Sequence, residues 1–197
     1  LLVPGGAISG GAFKNSSNLT EIKLPDDVTT IGCSVAKHLA NNCTSLKKIV
    51  VDEKNTAFSS DENGVLFDKN KTTLMMYPAG RTSTSYIVPE TVTTIYSNAF
   101  TDCESLEDIY YLGNKDKYIE PGNSTVHYCE KVETSTTCNV AGNIKYVCKE
   151  CSASVVVKTT PSLGHSFTDY VKDNNATCIS DGTKTAKCDR CSATKTV

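Results

Sequence analysis

The chain has 197 residues, enough for one domain or two small ones. Its 20 Lys and Arg residues nearly balance 22 Asp and Glu residues, and the net charge of −2 excludes the strongly basic surface of nucleic-acid-binding proteins and membrane-surface proteins. No apolar run approaches the roughly 18 residues of a transmembrane helix, so we expect no membrane insertion within this stretch of chain.

Two sequence patterns recur in the first part of the chain. The segment Ile22–Ile31 recurs as Tyr86–Ile95, with Pro, Val and a Thr-Thr-Ile ending at matching positions. A second pattern, with apolar columns at L-x-x-I, runs through three segments that align without gaps: Ala12–Ile22, Leu39–Ile49 and Ala99–Ile109. One such unit cannot bury its apolar edge alone, whereas stacked units form a continuous core. The predicted core ladder consists of Leu19, Leu46, Leu106, Ile22, Ile49, Ile109, Cys43 and Cys103.

The short L-x-x-I-x-L runs predict strands of a parallel ladder. Pro25 and Pro89 follow the runs, and proline turns the chain away because it cannot donate a hydrogen bond to a central ladder. We interpret Cys43 and Cys103 as small buried thiols in a column shared with Ser16, because buried Cys usually behaves as a small hydrophobe. Exposed strand positions would line one face of a curved sheet. The candidate binding face consists of Lys23, Lys47, Lys48, Glu107, Asp108 and Tyr110.

The combined pattern A-F-x-x-C-x-x-L-x-x-I-x-[LV]-P-x-x-V-x-x-I resembles the BspA-like (Treponema-type) leucine-rich repeats, over residues 5–112. The insert Gly64–Pro78 also resembles that family's G-V-L-F-D-K…L…Y-P segment. The resemblance implies a right-handed solenoid with a concave binding face, and a role in adhesion or protein binding. It also implies a secreted or cell-surface protein, and we expect the export signal upstream of Leu1.

The composition changes near residue 115. Beyond it, Leu163 is the only leucine, Phe167 is the only phenylalanine, and seven of the ten cysteines occur. A stretch with so little apolar area to bury needs cross-links such as disulfides or a bound metal in order to fold. The predicted fold class is α/β to mainly β, with a leucine-rich repeat solenoid followed by two small β-hairpin cysteine modules. The predicted boundaries are a solenoid over 1–115, a linker over 116–125, and cysteine repeats over 126–162 and 163–197.

The cysteine repeats have a period of 40 residues and the spacing C-x9-C-x2-C, which places a C-x-x-C at a turn between two strands. Three mechanisms remain open for them: structural zinc, disulfides in an oxidising compartment, or free thiols. Four protein ligands would leave no position for a reactive water, so zinc would be structural. The candidate ligands are His165, Cys178, Cys188 and Cys191 in the second repeat, and Cys138, Cys148 and Cys151 with Cys129 or His127 in the first.

The repeats also resemble short units that follow leucine-rich arrays in surface proteins of anaerobic Firmicutes, with the pattern G-H-x-[WF]…T-C…G…C-x-x-C. Leu163–Phe167 fits this pattern. In the first repeat Val126 replaces the glycine and Cys129 occupies the aromatic position. The resemblance therefore favours Cys129 over His127 as the fourth ligand there.

Sequence motifs of catalysis do not occur: no P-loop, G-x-G-x-x-G, H-E-x-x-H or G-x-S-x-G is found. Cys33 and His38 lie five positions apart, a spacing that does not make a catalytic pair by itself. We therefore predict a non-catalytic adhesion module that binds a protein or a glycan and no nucleic acid. The alternatives are an accessory region of a larger surface enzyme and a structural stalk.

Overall fold

The computed structural model describes residues 1–3, 5–9, 11–32, 39–113 and 123–197. Every regular element within these ranges is a β-strand, and none of them contains a helix, which confirms the mainly β form of the predicted fold class. Cys33 and His38 lie outside the described residues. The strands are β1 (Gly6–Ile8), β2 (Glu21–Leu24), β3 (Val28–Ile31), β4 (Lys48–Val51), β5 (Phe58–Ser60), β6 (Leu66–Asp68), β7 (Thr73–Met76), β8 (Ser85–Ile87), β9 (Thr94–Ile95), β10 (Asp108–Tyr111), β11 (Thr125–Thr134), β12 (Gly142–Cys148), β13 (Ser154–Thr160), β14 (Tyr170–Lys172), β15 (Lys184–Lys187) and β16 (Thr194–Thr196).

The chain forms two compact units. The first unit comprises Leu1–Glu130 and Tyr146–Ser154, and the second comprises Lys131–Lys145 and Val155–Val197. The linker predicted over 116–125 stays a prediction, because residues 114–122 are outside the described ranges.

The first unit contains the predicted parallel ladder. Strand β2 pairs with β4, so that Ile22 lies beside Ile49, and β10 pairs with both β8 and β11, so that Ile109 lies between Tyr86 and Val126. Along β2 and β4 buried and more exposed residues alternate, as the two-residue period of a strand requires. The three isoleucines are fully buried, because parallel stacking places the same column of successive coils on the inner side.

The structure contains a fourth copy of the L-x-x-I pattern, which leads into the segment Tyr86–Ile95 and was not among the three segments aligned in the sequence. Tyr77 takes the position of Phe13: its backbone N–H donates to Ala99 as that of Phe13 donates to Leu39, and its carbonyl accepts from Cys103. The ladder residue Tyr86 lies nine positions after Tyr77, just as Ile22 lies nine positions after Phe13. The ring of Tyr77 packs edge-on against Tyr86 at 5.1 Å.

This additional coil corrects the predicted ladder, in which Leu19, Leu46 and Leu106 are successive rungs. Leu46 and Leu106 are fully buried, but they do not occupy neighbouring coils: the coil between them contacts one side through the Gly80 N–H, which donates to the Leu46 carbonyl, and the other through β8, which pairs with β10. Leu19 is only half-buried, whereas Cys43 and Cys103 are buried thiols within the apolar core. The Cys43 thiol donates to the carbonyl of Phe13 at 2.8 Å, which fits the predicted role of a packed thiol.

In three of the coils one turn is closed by a residue in the left-handed conformation. Asn15, Asn42 and Asp102 occupy the same repeat column and have φ angles of 64°, 59° and 63°. Asn and Asp tolerate this conformation better than other non-glycine residues. The Asn42 side chain donates to Asn15 at 2.8 Å and its backbone N–H donates to the Asp102 carboxylate at 2.8 Å, so this column is a polar ladder along the stacked coils.

The insert between the second and third coils is an antiparallel meander. Strand β6 pairs with β5 and β7, and β7 pairs in parallel with β9. Asn55 anchors its start from a fully buried position: its side chain donates to the carbonyls of Pro25 and Val28 and accepts from the N–H groups of Ala57 and Phe58. A buried amide with all four hydrogen bonds made is stabilising, since none of its polar atoms loses a partner on folding.

The second unit has almost no apolar interior. Its buried side chains are Cys138, Ala186 and Cys188, and the unit's own sheet is the antiparallel set β14, β15 and β16. Large apolar side chains such as Ile179 and Val171 are exposed to 98% and 70%. Hydrophobic burial alone therefore gives this unit little stability.

Candidate functional site

The exposed side of strands β2 and β4 carries charged side chains around one apolar residue. The Glu21 carboxylate forms ion pairs with the Nζ atoms of Lys23, at 3.4 Å, and Lys48, at 3.1 Å. The hydrogen bond with Lys48 is the main cause that lowers the pKa of the Glu21 carboxyl. Val50 lies on the same side and is 37% exposed. Lys23 and Lys48 are exposed on this side of the strands, and Lys47, which directly precedes β4, is exposed as well.

The other end of the predicted face is covered. Glu107 is exposed, but Tyr110 is only 8% exposed and its ring stacks on His127 at 4.9 Å. Strand β11 adds a further rung to the ladder and places His127 directly opposite Tyr110. Asp108 is half-buried and accepts a hydrogen bond from the same histidine. The placement of Tyr110 on an open binding face is therefore wrong, because strand β11, which carries His127, covers this part of the ladder.

A first cluster of metal-binding side chains lies in the first unit at this covered end. His127, Cys148 and Cys151 place one potential ligand atom each within 4.8 Å of one another. The Nδ1 atom of His127 is 3.3 Å from the Cys151 sulfur, and its Nε2 atom is 2.8 Å from the Asp108 carboxylate. A carboxylate on the remote nitrogen of a histidine fixes the ring and its tautomer, as is usual for histidine ligands of zinc.

The local electrostatics favour the thiolate form of Cys148. Burial alone would raise its pKa, but the backbone N–H groups of Cys151 and Glu150 and the side chain of His127 hydrogen-bond to the sulfur and lower the pKa to about 7. For His127, burial lowers the pKa, and the hydrogen bond to Asp108 opposes this and raises it overall. A thiolate is the form of cysteine that binds metals.

Cys129, the predicted ligand of the first repeat, does not join this cluster. Its thiol is buried and donates to the backbone carbonyl of His127 at 3.2 Å. Burial raises the pKa of Cys129 to about 11, so the protonated thiol is its stable form. The structure brings His127 into the cluster instead, because the two residues lie on the same strand two positions apart and the histidine ring reaches farther.

A second cluster lies wholly in the second unit. Cys138, His165, Cys188 and Cys191 place four potential ligand atoms within 4.8 Å of one another. The sulfurs of Cys138 and Cys188 are 3.8 Å apart, and the Cys191 sulfur is 3.4 Å from Nδ1 of His165. Tetrahedral zinc with ordinary bond lengths requires about 3.8 Å between two sulfurs and about 3.6 Å between sulfur and nitrogen. The donor set and its spacing therefore match a four-ligand zinc site.

The second cluster differs from the predicted one in a single residue. Cys178 was expected to complete it, but Cys178 is exposed and lies outside the cluster, and Cys138 takes its place. The backbone N–H groups of Arg190 and Ser166 point at the Cys188 sulfur and lower the pKa of that thiol to about 5. This donor pattern again favours a thiolate at a metal-binding position.

Comparison with known proteins identifies the repeats. The BspA type leucine rich repeat region family matches the sequence in six copies over residues 6–63 and 79–170. No curated protein matches the sequence. Within the described part of the chain there is no helix with the length and apolar character needed to cross a bilayer.

Three solved bacterial structures are similar. The pneumococcal vaccine antigen PcpA is 27% identical over 67% of this chain and 32% of its own, with a TM-score of 0.49. A leucine-rich repeat protein from Eubacterium ventriosum is 24% identical over 64% and 47%, with a TM-score of 0.47. A leucine rich cell surface protein from Faecalibacterium prausnitzii is 24% identical over 61% and 32%, with a TM-score of 0.46. The chain therefore spans less than half the length of each. Because the matched family covers well over half of the sequence, the chain belongs to the BspA-type leucine-rich repeat proteins.

Proposed function

We propose that the chain is a non-catalytic binding module of a secreted or cell-surface protein and that it mediates adhesion to a protein or a glycan. The observation that carries this proposal is the exposed side of β2 and β4, where Lys23, Lys48 and Glu21 surround Val50 on a rigid parallel ladder. Charged side chains around an apolar contact are typical of the rim and centre of an interface. Stacked coils hold these side chains at fixed spacing, so little ordering is needed on binding.

Charge reversal on this surface tests the proposal. The double variant Lys23→Glu/Lys48→Glu removes both positive charges and leaves Glu21 among like charges. We expect the affinity for a partner to fall about tenfold or more, since like charges at an interface cost several kcal/mol. The measurement is surface plasmon resonance against a panel of purified matrix proteins and mucin-type glycans.

The matched control is Lys14→Glu/Lys54→Glu. It changes the net charge equally at two exposed turn positions outside the ladder strands. We expect its affinity to stay within about twofold of the wild type. Equal losses in both double variants would indicate a general charge effect, and unchanged binding in the strand variant would refute this binding face.

We further propose that both clusters hold structural zinc, and that the zinc in the second cluster supplies the stability that the second unit lacks. Two of the three buried side chains in that unit are Cys138 and Cys188 of the cluster. Small units without an apolar core commonly depend on a metal for folding.

The test of the zinc proposal is metal analysis with thiol counting on natively purified protein. We expect two zinc ions per chain. A protein with no metal and no free thiols in the clusters would refute zinc and indicate disulfides.

The first cluster makes a separate prediction about Asp108. Asp108→Asn keeps the shape of the side chain but removes the charge that holds His127, so zinc affinity at that cluster should fall about tenfold or more. Competition with a chromogenic chelator would measure this, and the second site should keep its affinity within the same sample. Glu107→Gln on the neighbouring exposed position is the control for the loss of one charge. A first-site affinity equal to that of wild type would contradict the orienting role of Asp108.

A further inference from the structure

The geometry points to a metal-linked array, in which the first cysteine of each cysteine repeat completes the metal site of the next repeat. In this chain Cys138, which belongs by sequence to the first repeat, is the fourth ligand of the second-repeat site with His165, Cys188 and Cys191. The inference rests on the zinc proposal and deepens it. It makes zinc a cross-link between successive repeats. A ligand set with Cys178 in place of Cys138 would instead bind zinc within a single repeat.

The two C-x-x-C turns, Cys148–Cys151 and Cys188–Cys191, are called knuckles here. They make equivalent hydrogen bonds, so the ligands of one can be matched to those of the other. Cys148 N–H donates to Ala153 at 2.8 Å, and Cys188 N–H donates to Ala193 at 2.7 Å. The residue after each cysteine also donates to the residue after each histidine: Lys149 to Tyr128 at 3.1 Å, and Asp189 to Ser166 at 3.0 Å. His127 and His165 are therefore equivalent, and each places Nδ1 beside the second cysteine of its knuckle. Each knuckle supplies three ligands by itself, and the second cluster gains its fourth ligand, Cys138, from another segment.

Backbone contacts place Cys138 in the second site. The carbonyl of Thr137 accepts from Leu163 at 2.9 Å, and the carbonyl of Cys138 accepts from Gly164 at 3.0 Å. These two bonds join the first-cysteine turn to the residues immediately before His165. The Cys138 side chain is 6% exposed and its sulfur lies 3.8 Å from that of Cys188. The position of Cys138 is thus held by main-chain pairing and does not depend on one side-chain rotamer.

Cys178 has the same local turn but belongs to neither of the two clusters found among the described residues. Thr177 N–H donates to Ser180 at 2.9 Å, as Thr137 N–H donates to Val140 at 3.0 Å. Cys178 is exposed, so a further knuckle with the same pattern placed after this one would receive its fourth thiolate from Cys178. The three-residue cluster at the first knuckle agrees with this pattern, in which the fourth ligand comes from the first cysteine of the preceding repeat. Forty positions before Cys138 the chain has Asn98, so no earlier repeat donates a thiolate to it.

Alkylation mapping of the native, zinc-loaded chain tests the assignment without a mutation. Iodoacetamide followed by peptide mass spectrometry should label Cys178 at least about tenfold faster than Cys138. After zinc is removed with EDTA, Cys138, Cys188 and Cys191 should become reactive together, while Cys178 should not change. A zinc-dependent protection of Cys178, or a Cys138 reactivity that ignores zinc, would overturn the inference.

A pair of matched variants gives an independent measurement. Cys138→Ser should weaken zinc at the second site about 100-fold or more, whereas Cys178→Ser should leave both sites within about twofold of wild type. Cobalt substitution counts the thiolates directly: the sulfur-to-cobalt absorption of the second site should correspond to three thiolates in the wild type and in Cys178→Ser. Should Cys138→Ser fail to fold, the Cys178→Ser result and the alkylation map still decide.

The outcomes separate this inference from the zinc proposal. Two zinc ions per chain with Cys178 protected would leave zinc in place and refute only the link between repeats. A chain with no zinc and with disulfides among these cysteines would refute both.

Discussion

The variant Ile109→Ala is expected to lower the free energy of unfolding of the first unit by about 3–4 kcal/mol, within the range of Ile to Ala changes in rigid cores. Ile109 is fully buried at the centre of the ladder, with Tyr86 on one neighbouring strand and Val126 on the other. Parallel pairing on both sides prevents the backbone from closing the cavity. Urea unfolding followed by far-ultraviolet circular dichroism would measure the loss.

The control for Ile109 is Glu107→Ala on an exposed position two residues earlier in the chain. Exposed substitutions of this kind usually change stability by less than about 0.5 kcal/mol. If the two variants unfolded at the same urea concentration, the coils around β10 would not be stacked and the ladder would be wrong in this region.

The second large effect is expected for Gly64→Ala, which should cost about 3 kcal/mol by adding strain to overpacking. Gly64 has a φ of +73°, a backbone conformation that residues with a Cβ rarely adopt. A Cβ at this position would lie 2.4 Å from the Cβ of Lys48 and 2.7 Å from its Cα. The Gly64 carbonyl also accepts from Ile49 at 2.9 Å, so relief by backbone movement would break a ladder contact.

Gly11→Ala separates the two causes of this effect. Gly11 has a similar φ of +68°, but the nearest atom to its added Cβ is 3.8 Å away, an ordinary contact distance. Gly11→Ala should therefore cost only the backbone strain, about 1–2 kcal/mol. Thermal or urea unfolding of both variants gives the difference, which measures the clash at Lys48. Equal losses would show that the insert is not seated against β4.

The regular part of the fold could be predicted because its signal is periodic. Columns such as Ile22, Ile49 and Ile109 repeat at matching positions, and stacking is the arrangement that buries all of them. The segment Tyr86–Ile95 was matched to Ile22–Ile31, but the beginning of that coil at Tyr77 escaped detection because Tyr77 and Tyr86 replace the Phe and Ile of the pattern. In three dimensions the hydrogen bonds between backbones mark this coil, since they depend on position in the ladder and not on side-chain type.

The sequence was sufficient to predict which residue types form the candidate metal sites, but not which individual residues share a site. The C-x-x-C knuckles and their histidines were apparent from spacing, because such a turn offers two thiolates from one loop. Cys178 was expected where the structure has Cys138, and Cys129 where it has His127. The sequence period assigns each cysteine to its own repeat, whereas the main-chain bonds of Thr137 and Cys138 carry a ligand into the next one.

By itself the sequence determined the family, the mainly β repeat architecture and the kinds of side chain that could bind a metal. These properties follow from local period and composition, which require no knowledge of long-range pairing. Only the tertiary structure decided that Tyr110 is covered by His127, that a coil beginning at Tyr77 lies between those of Leu46 and Leu106, and that Cys138 joins His165. Each of these depends on which distant backbone segments pair, and pairing between strands is chosen by the summed burial of the whole unit.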